Sequence, residues 1–247
     1  MSADGRSWLD EYERRARLLP ALLVAAPAVG VIAPLSTSTY GLLVSALVGP
    51  LALFGGTVVV AVIVRELGLQ AERRLWAAWG GPPTTTLLRD RPDGTARHRR
   101  RRHLVEAVTG LPLPTLQDQQ GDPGDADEQI AQAVAELRSL TRDRDRHPLV
   151  FVANRDYGLA RNLFALRWYG RAVASAALLI AVIAGLGSLV GQRAYQAPQL
   201  LIALLASSTL LIVWLRFPSE TRVRAAADRY ATHLLDATAT FHLNRSA

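Results

Sequence analysis

The sequence predicts an all-α membrane protein: four transmembrane helices as two hairpins, a mainly helical cytosolic domain between them, and a cytosolic C-terminal helix. Three observations lead there. Leu18–Val64 is a run of 47 residues without Asp, Glu, Arg, Lys or His. Ala172–Gln192 and Ala194–Leu215 are two more charge-free runs, of 21 and 22 residues. All 28 basic residues are arginine, and 27 of them lie outside the two expected hairpin tips, Arg193 being the exception. A bilayer core takes about 20 apolar residues per helix, so the three runs divide into four passes.

The first run is too long for one helix. Pro34 followed by the polar stretch Leu35–Gly41 marks its break, giving passes near 18–34 and 41–64. The third pass is expected near 171–190, a turn over Gly191–Pro198, and the fourth pass near 199–216. Segments 1–17 (N-terminal, amphipathic), 65–170 (stalk and ligand-sensing domain) and 217–247 (C-terminal helix) then share one side. Arginine accumulates on the cytosolic side of membrane proteins, so both termini are expected in the cytosol. Tyr40 and Tyr195 suit the outer interface; Trp8, Trp76, Trp79, Trp168, Tyr169 and Trp214 suit the inner one.

Composition excludes several functions. There is no Cys, hence no disulfide, thiolate nucleophile or thiolate metal site. Without Lys there is no phosphate-binding G-x-x-x-x-G-K-[ST] loop, and no G-x-S-x-G elbow occurs. The five His have no metal-ligand spacing. No enzyme activity, cofactor or metal is expected. Ion-coupled transporters usually carry an ionisable group inside the membrane, and none falls within a pass. A pore lined by apolar and small polar residues remains compatible, but four short helices enclose no channel alone, so a pore requires a homo-oligomer.

In the cytosolic segment the second pass should continue as a helix through Arg65–Trp79, until Gly80-Gly81-Pro82-Pro83 stops it. Gln117–Ala126 reads as a loop, and Asp125-x-x-Glu128 as a helix start. Ile130, Val134, Leu137 and Leu140 form one apolar helical face. Leu149–Val152 reads as a short strand, followed by helical periodicity over Tyr157–Arg167. The tail, Ser219–Leu243, is amphipathic.

Two clusters suit a polyanion. Arg97, Arg99, Arg100, Arg101 and Arg102 have only Glu106 nearby, and guanidinium groups bind phosphate through two parallel hydrogen bonds. The same run equally suits a solvated face or a contact with anionic headgroups. The second cluster is Asn154-Arg155-Asp156-Tyr157, with Arg161 and Asn162. A strand-to-helix turn there would leave backbone N–H groups for an anion, Arg155 and Arg161 would add charge, Asn154 and Asn162 amide donors, and Tyr157 a stacking ring. A capped helix with structural ion pairs is the plainer alternative. Asp143-Arg144-Asp145-Arg146 reads as a self-paired, exposed face.

Trp79-Gly80-Gly81-Pro82-Pro83-Thr84-Thr85 together with Asn154–Arg167 resembles a group of bacterial four-pass membrane proteins of anti-phage defence, of which the Hailong-type effector, a channel controlled by a short DNA oligomer, is the nearest kind. The resemblance implies an oligomeric ion channel of the bacterial inner membrane, controlled by an oligonucleotide or nucleotide signal that a partner nucleotidyltransferase makes. Opening would depolarise the infected cell. The alternative is a membrane-anchored scaffold whose basic domain recruits a protein or binds lipid headgroups.

Overall fold

A computed structural model describes residues 16, 18–35, 56–191 and 195–245. Most of the N-terminal segment, the expected break after Leu35, the outer part of the second pass, Tyr40 and Arg193 lie outside the described residues. Among the described residues there are eleven helices and no strand. They are α1 (Leu19–Leu35), α2 (Gly56–Ala78), α3 (Pro83–Leu88), α4 (Ala96–Thr109), α5 (Leu116–Gly121), α6 (Pro123–Leu140), α7 (Pro148–Ala165), α8 (Arg167–Leu189), α9 (Ala197–Arg216), α10 (Glu220–Asp236) and α11 (Thr238–Arg245). The chain divides into two compact units, one of residues 1–72 and 158–223, the other of 73–157 and 224–247. Each crossing point falls inside a helix: α2, α7 and α10.

The first unit is apolar. Helices α8 and α9, of 23 and 20 residues, are long and apolar enough to cross a membrane, with mean hydropathies of 2.3 and 2.0. They coincide with the expected third and fourth passes. At 1.5 Å per residue they span about 35 and 30 Å. Helix α1, with 17 residues, is apolar but shorter, and packs on both. Small residues set the spacing. Val31, Ala177, Ala181 and Ala203 form one buried cluster, and Val64, Leu166, Ala174 and Trp214 another. Ala203 and Ser207, small residues four apart on α9, are both fully buried. A methyl on Gly170 would lie 2.2 Å from the Trp214 indole, so the ring rests directly on the α8 backbone. The indole Nε1 donates to the Leu23 carbonyl of α1 at 3.2 Å, and Arg171 Nε donates to the Trp214 carbonyl at 3.2 Å. Gly191, at φ 76°, ends α8 in the left-handed region open to glycine.

The core helix of a water-soluble protein is mostly buried. In α8 and α9 only 17% of the most apolar window is buried. Leu179, Ile180, Ile183, Leu186 and Leu189 on α8, and Leu201, Ile202, Leu205 and Ile212 on α9, are exposed.

The second unit closes on Leu88, Val105, Leu113, Ile130, Ala133, Val134, Leu137, Val150, Leu234, Leu235 and Ala237. The C-terminal helices are thus part of this core and not a separate tail. Helix α2 continues as expected and stops at the glycine pair: Gly81 N–H donates to the Trp76 carbonyl at 2.8 Å and Gly80 N–H to Ala77 at 3.4 Å, with Gly80 at φ 76°. This is the paired closure of a glycine-ended helix. Of the expected α6 face, Ile130, Val134 and Leu137 are buried and Leu140 is exposed.

Three local expectations are corrected. Leu149–Val152 is not a strand but the first turn of α7, with Pro148 at the first helical position, where its missing N–H costs nothing. A lone β-prone run has no ladder to join, and Val150 finds burial in a helical core instead. Gln117–Ala126 is not a loop: it holds α5 and the start of α6. Helix α6 is capped by Asp122, which accepts from Gly124 N and Asp125 N at 3.0 Å each, and not by Asp125. Pro123 supplies the first position.

Gly170→Ala should lower the unfolding midpoint in detergent by the equivalent of about 1–3 kcal/mol, because a packed ring has to move. Gly187→Ala, whose added carbon meets nothing within 4 Å, should leave it unchanged or raise it. Equal midpoints for the two variants would show that the Gly170–Trp214 contact is not tight.

Candidate anion-binding surface

The basic run forms a helix because arginine has high helix propensity and both ends are capped. Thr95 accepts from His98 N, and Gly110, at φ 73°, closes the C-terminus. Helical geometry then separates the arginines. Arg102 turns inward: its guanidinium donates to the Leu88 carbonyl, to Pro114 at 2.7 Å and to Leu113 at 3.4 Å. Arg101, with a side chain 12% exposed, pairs with Asp236 at 3.0 Å. Arg97 reaches the same carboxylate at 3.6 Å. Arg99 bonds the Gly94 carbonyl, and Arg99 and Arg100 are exposed. Glu106, four residues after Arg102, accepts from Leu113 N at 2.9 Å. The arginines therefore find their partners on distant segments, chiefly α10 and the carbonyls around α3 and Leu113–Pro114. Arg97, Arg99 and Arg100 remain on the outer face.

Arg89 clasps Asp127 through two hydrogen bonds of 2.8 and 2.6 Å, tying the end of α3 to α6. The hydrogen bond to Asp127 raises the Arg89 pKa above its ordinary value, against the opposing effect of burial.

The second cluster lies inside a continuous helix, not at a strand-to-helix turn, and its members fall in different units. Tyr157 is 7% exposed and stacks on Tyr230 at 6.2 Å, nearly parallel. Arg155 Nε lies 3.6 Å from Asp156. Beyond the unit boundary, Arg161 pairs with Glu72 at 3.0 Å, both side chains nearly buried at 12% and 9%. Asn162 is 1% exposed, and its Nδ2 donates to the Ala16 carbonyl at 2.6 Å. Gly68 makes room for it: a carbon there would lie 2.0 Å from Asn162 Oδ1. Asn154 alone lines a cleft, with Arg138, Arg142 and Arg144. Of these three, Arg144 belongs to the alternating run Asp143–Arg146 that reads as a self-paired face, and Arg138 and Arg142 belong to no motif in the sequence. Among the described residues no group of three or more His, Asp or Glu is arranged to hold a metal ion.

The described chain is an all-helical protein that joins an apolar unit, with two helices fit to cross a membrane, to a smaller unit bearing a basic helix. No family profile, curated protein or solved structure matches the chain.

Removing one member of a nearly buried ion pair leaves the other charge uncompensated, at about 3 kcal/mol or more. Glu72→Gln should therefore destabilise the protein by about that amount in denaturant titration. Arg100→Gln, on the exposed face of α4, should change stability by less than about 0.5 kcal/mol.

Proposed function

We propose that the protein is an oligomeric ion channel of the bacterial inner membrane, an effector of anti-phage defence that depolarises the cell when open. In this reading four passes, from the runs 18–64 and 171–216, form or gate the pore. An oligonucleotide signal made by a partner nucleotidyltransferase binds the basic cytosolic domain. The ligand binds one conformational state more tightly than the other and so shifts their populations. The observation that carries the reading is the exposed apolar circumference of α8 and α9, surface that lipid or further copies of the chain would cover. Arg97, Arg99 and Arg100 on the outer face of α4 are the best-placed phosphate contacts of that cluster. Tyr157, Arg161 and Asn162 are engaged inside the fold and would have to be released to touch a ligand, whereas Arg155 and Asn154 are half-buried.

A second reading, the membrane-anchored scaffold, draws support from the internal roles of Arg101 and Arg102, which reduce the charge α4 offers to a polyanion.

The two readings part in reconstituted liposomes. A channel passes ions across the vesicle wall and loses or gains conductance when a short single-stranded DNA oligomer is added; a scaffold does neither. Arg99→Gln with Arg100→Gln should weaken oligomer binding by roughly tenfold at moderate salt and flatten its salt dependence. Absence of both conductance and oligomer affinity in the wild-type protein would rule the channel reading out.

A further inference from the structure

The cleft in the second unit has chemistry that neither sequence cluster anticipated, and it stands independently of channel activity. It is an open cleft of about 310 Å³ between the end of α6, the 141–147 loop, the start of α7, and Tyr230 of α10. Arg138, Arg142 and Arg144, all exposed at its rim, line it, and among the described residues no carboxylate does. Neither Arg138 nor Arg142 forms an ion pair among the described residues.

Two of the acids near in sequence are turned to other work. Asp143 accepts from the backbone N–H groups of Asp145 and Arg146 at 3.0 and 3.3 Å, and lies 3.3 Å from Arg146 Nε. Asp156 lies beside Arg155. A negative helix end would offer a simpler reason for arginines here. That accounts for Arg138, in the last turn of α6, where the Thr141 hydroxyl donates to the Leu137 and Arg138 carbonyls at 2.9 and 3.4 Å, but not for Arg142 and Arg144 beyond the helix. Across the cleft lies the opposite helix end, the N-terminal turns of α7, which favour negative charge. Asn154 adds an amide. Val150 and Phe151 add an apolar wall, and the Arg144 guanidinium lies 4.2 Å from the centre of the Phe151 ring.

We propose that this cleft binds a small organic phosphate: the phosphoryl group between Arg138 and Arg142, near the Asn154 amide, and the organic part against Val150 and Phe151. Arg138 and Arg142, with no carboxylate lining the cleft among the described residues, suit a dianion better than a single carboxylate, because each guanidinium fork offers two parallel donors to phosphate oxygens. The volume lies at the lower end of small-molecule sites, more than a bare phosphate fills.

The test is calorimetric titration of the full-length protein in neutral phosphatidylcholine nanodiscs with phenyl phosphate, inorganic phosphate and phenol. Phenyl phosphate should saturate one site per subunit with a Kd below about 1 mM, bind several-fold more tightly than inorganic phosphate, and leave phenol unbound. Arg138→Gln with Arg142→Gln should weaken it by tenfold or more. Arg73→Gln with Arg74→Gln, an equal loss of charge elsewhere on the same unit, should not. Asn154→Leu supplies a second variant, and the comparison of the three probes needs no variant. The proposal falls if phenyl phosphate fails to saturate, if it binds no better than inorganic phosphate, or if the Arg73/Arg74 variant loses as much affinity as the cleft variant. Phenyl phosphate affinity that collapses in phosphatidylglycerol nanodiscs for the wild type would assign the cleft to lipid headgroups and overturn a free phosphate as its ligand; unchanged affinity supports it.

Discussion

Three helices of the apolar unit meet at the indole of Trp214. Its face rests on Gly170, where no side chain keeps α8 and α9 apart, and its N–H is satisfied by the Leu23 carbonyl of α1. The ring can be buried only because both conditions hold together. A larger residue at position 170 would push the helices apart, and an unpaired indole N–H would carry a desolvation cost. The alanines at 174, 177, 181 and 203 extend the same close approach along the hairpin. Large apolar side chains then point outward, the inverse of a water-soluble bundle.

The second unit solves a different problem: how to build a core beneath a helix that carries five arginines in six positions. A helix turns about 100° per residue, so neighbouring arginines cannot share one environment. Those on the inner side become connectors. Arg102 gathers the carbonyls of Leu88, Leu113 and Pro114, and Arg101 takes Asp236 from α10. The guanidinium suits this work because it offers five donors on a planar frame and a long stem that packs against apolar surface. Positive charge therefore does not translate directly into a ligand surface. What remains outside on α4 is smaller than the sequence suggests, while arginines spread over α6 and its following loop converge on a cleft.

Much of the architecture was legible because it follows from periodicity and length. The extents of α8 and α9, the continuation of α2 to the glycine pair, and the buried stripe of α6 are local consequences of where charge, glycine and apolar residues recur. Legibility failed where a short segment has two local solutions. Leu149–Val152 is β-prone by composition, but Pro148 starts a helix and the core accepts Val150 from that helix. Asp125 reads as a cap, but Asp122 caps α6, with Pro123 at the first helical position.

The sequence by itself determined the helical class, the apolar hairpin and the strongly uneven distribution of arginine, since these depend on residues close together in the chain. Only the tertiary structure decided which polar side chains are engaged and which line a surface. Glu72 meets Arg161, Asp236 meets Arg101, Asn162 meets the Ala16 carbonyl, and Tyr157 meets Tyr230, across separations from 73 to 146 residues. Partners so far apart leave no local pattern. Charge and hydrogen-bonding groups act over a few ångströms, and only the folded chain brings these pairs within that range.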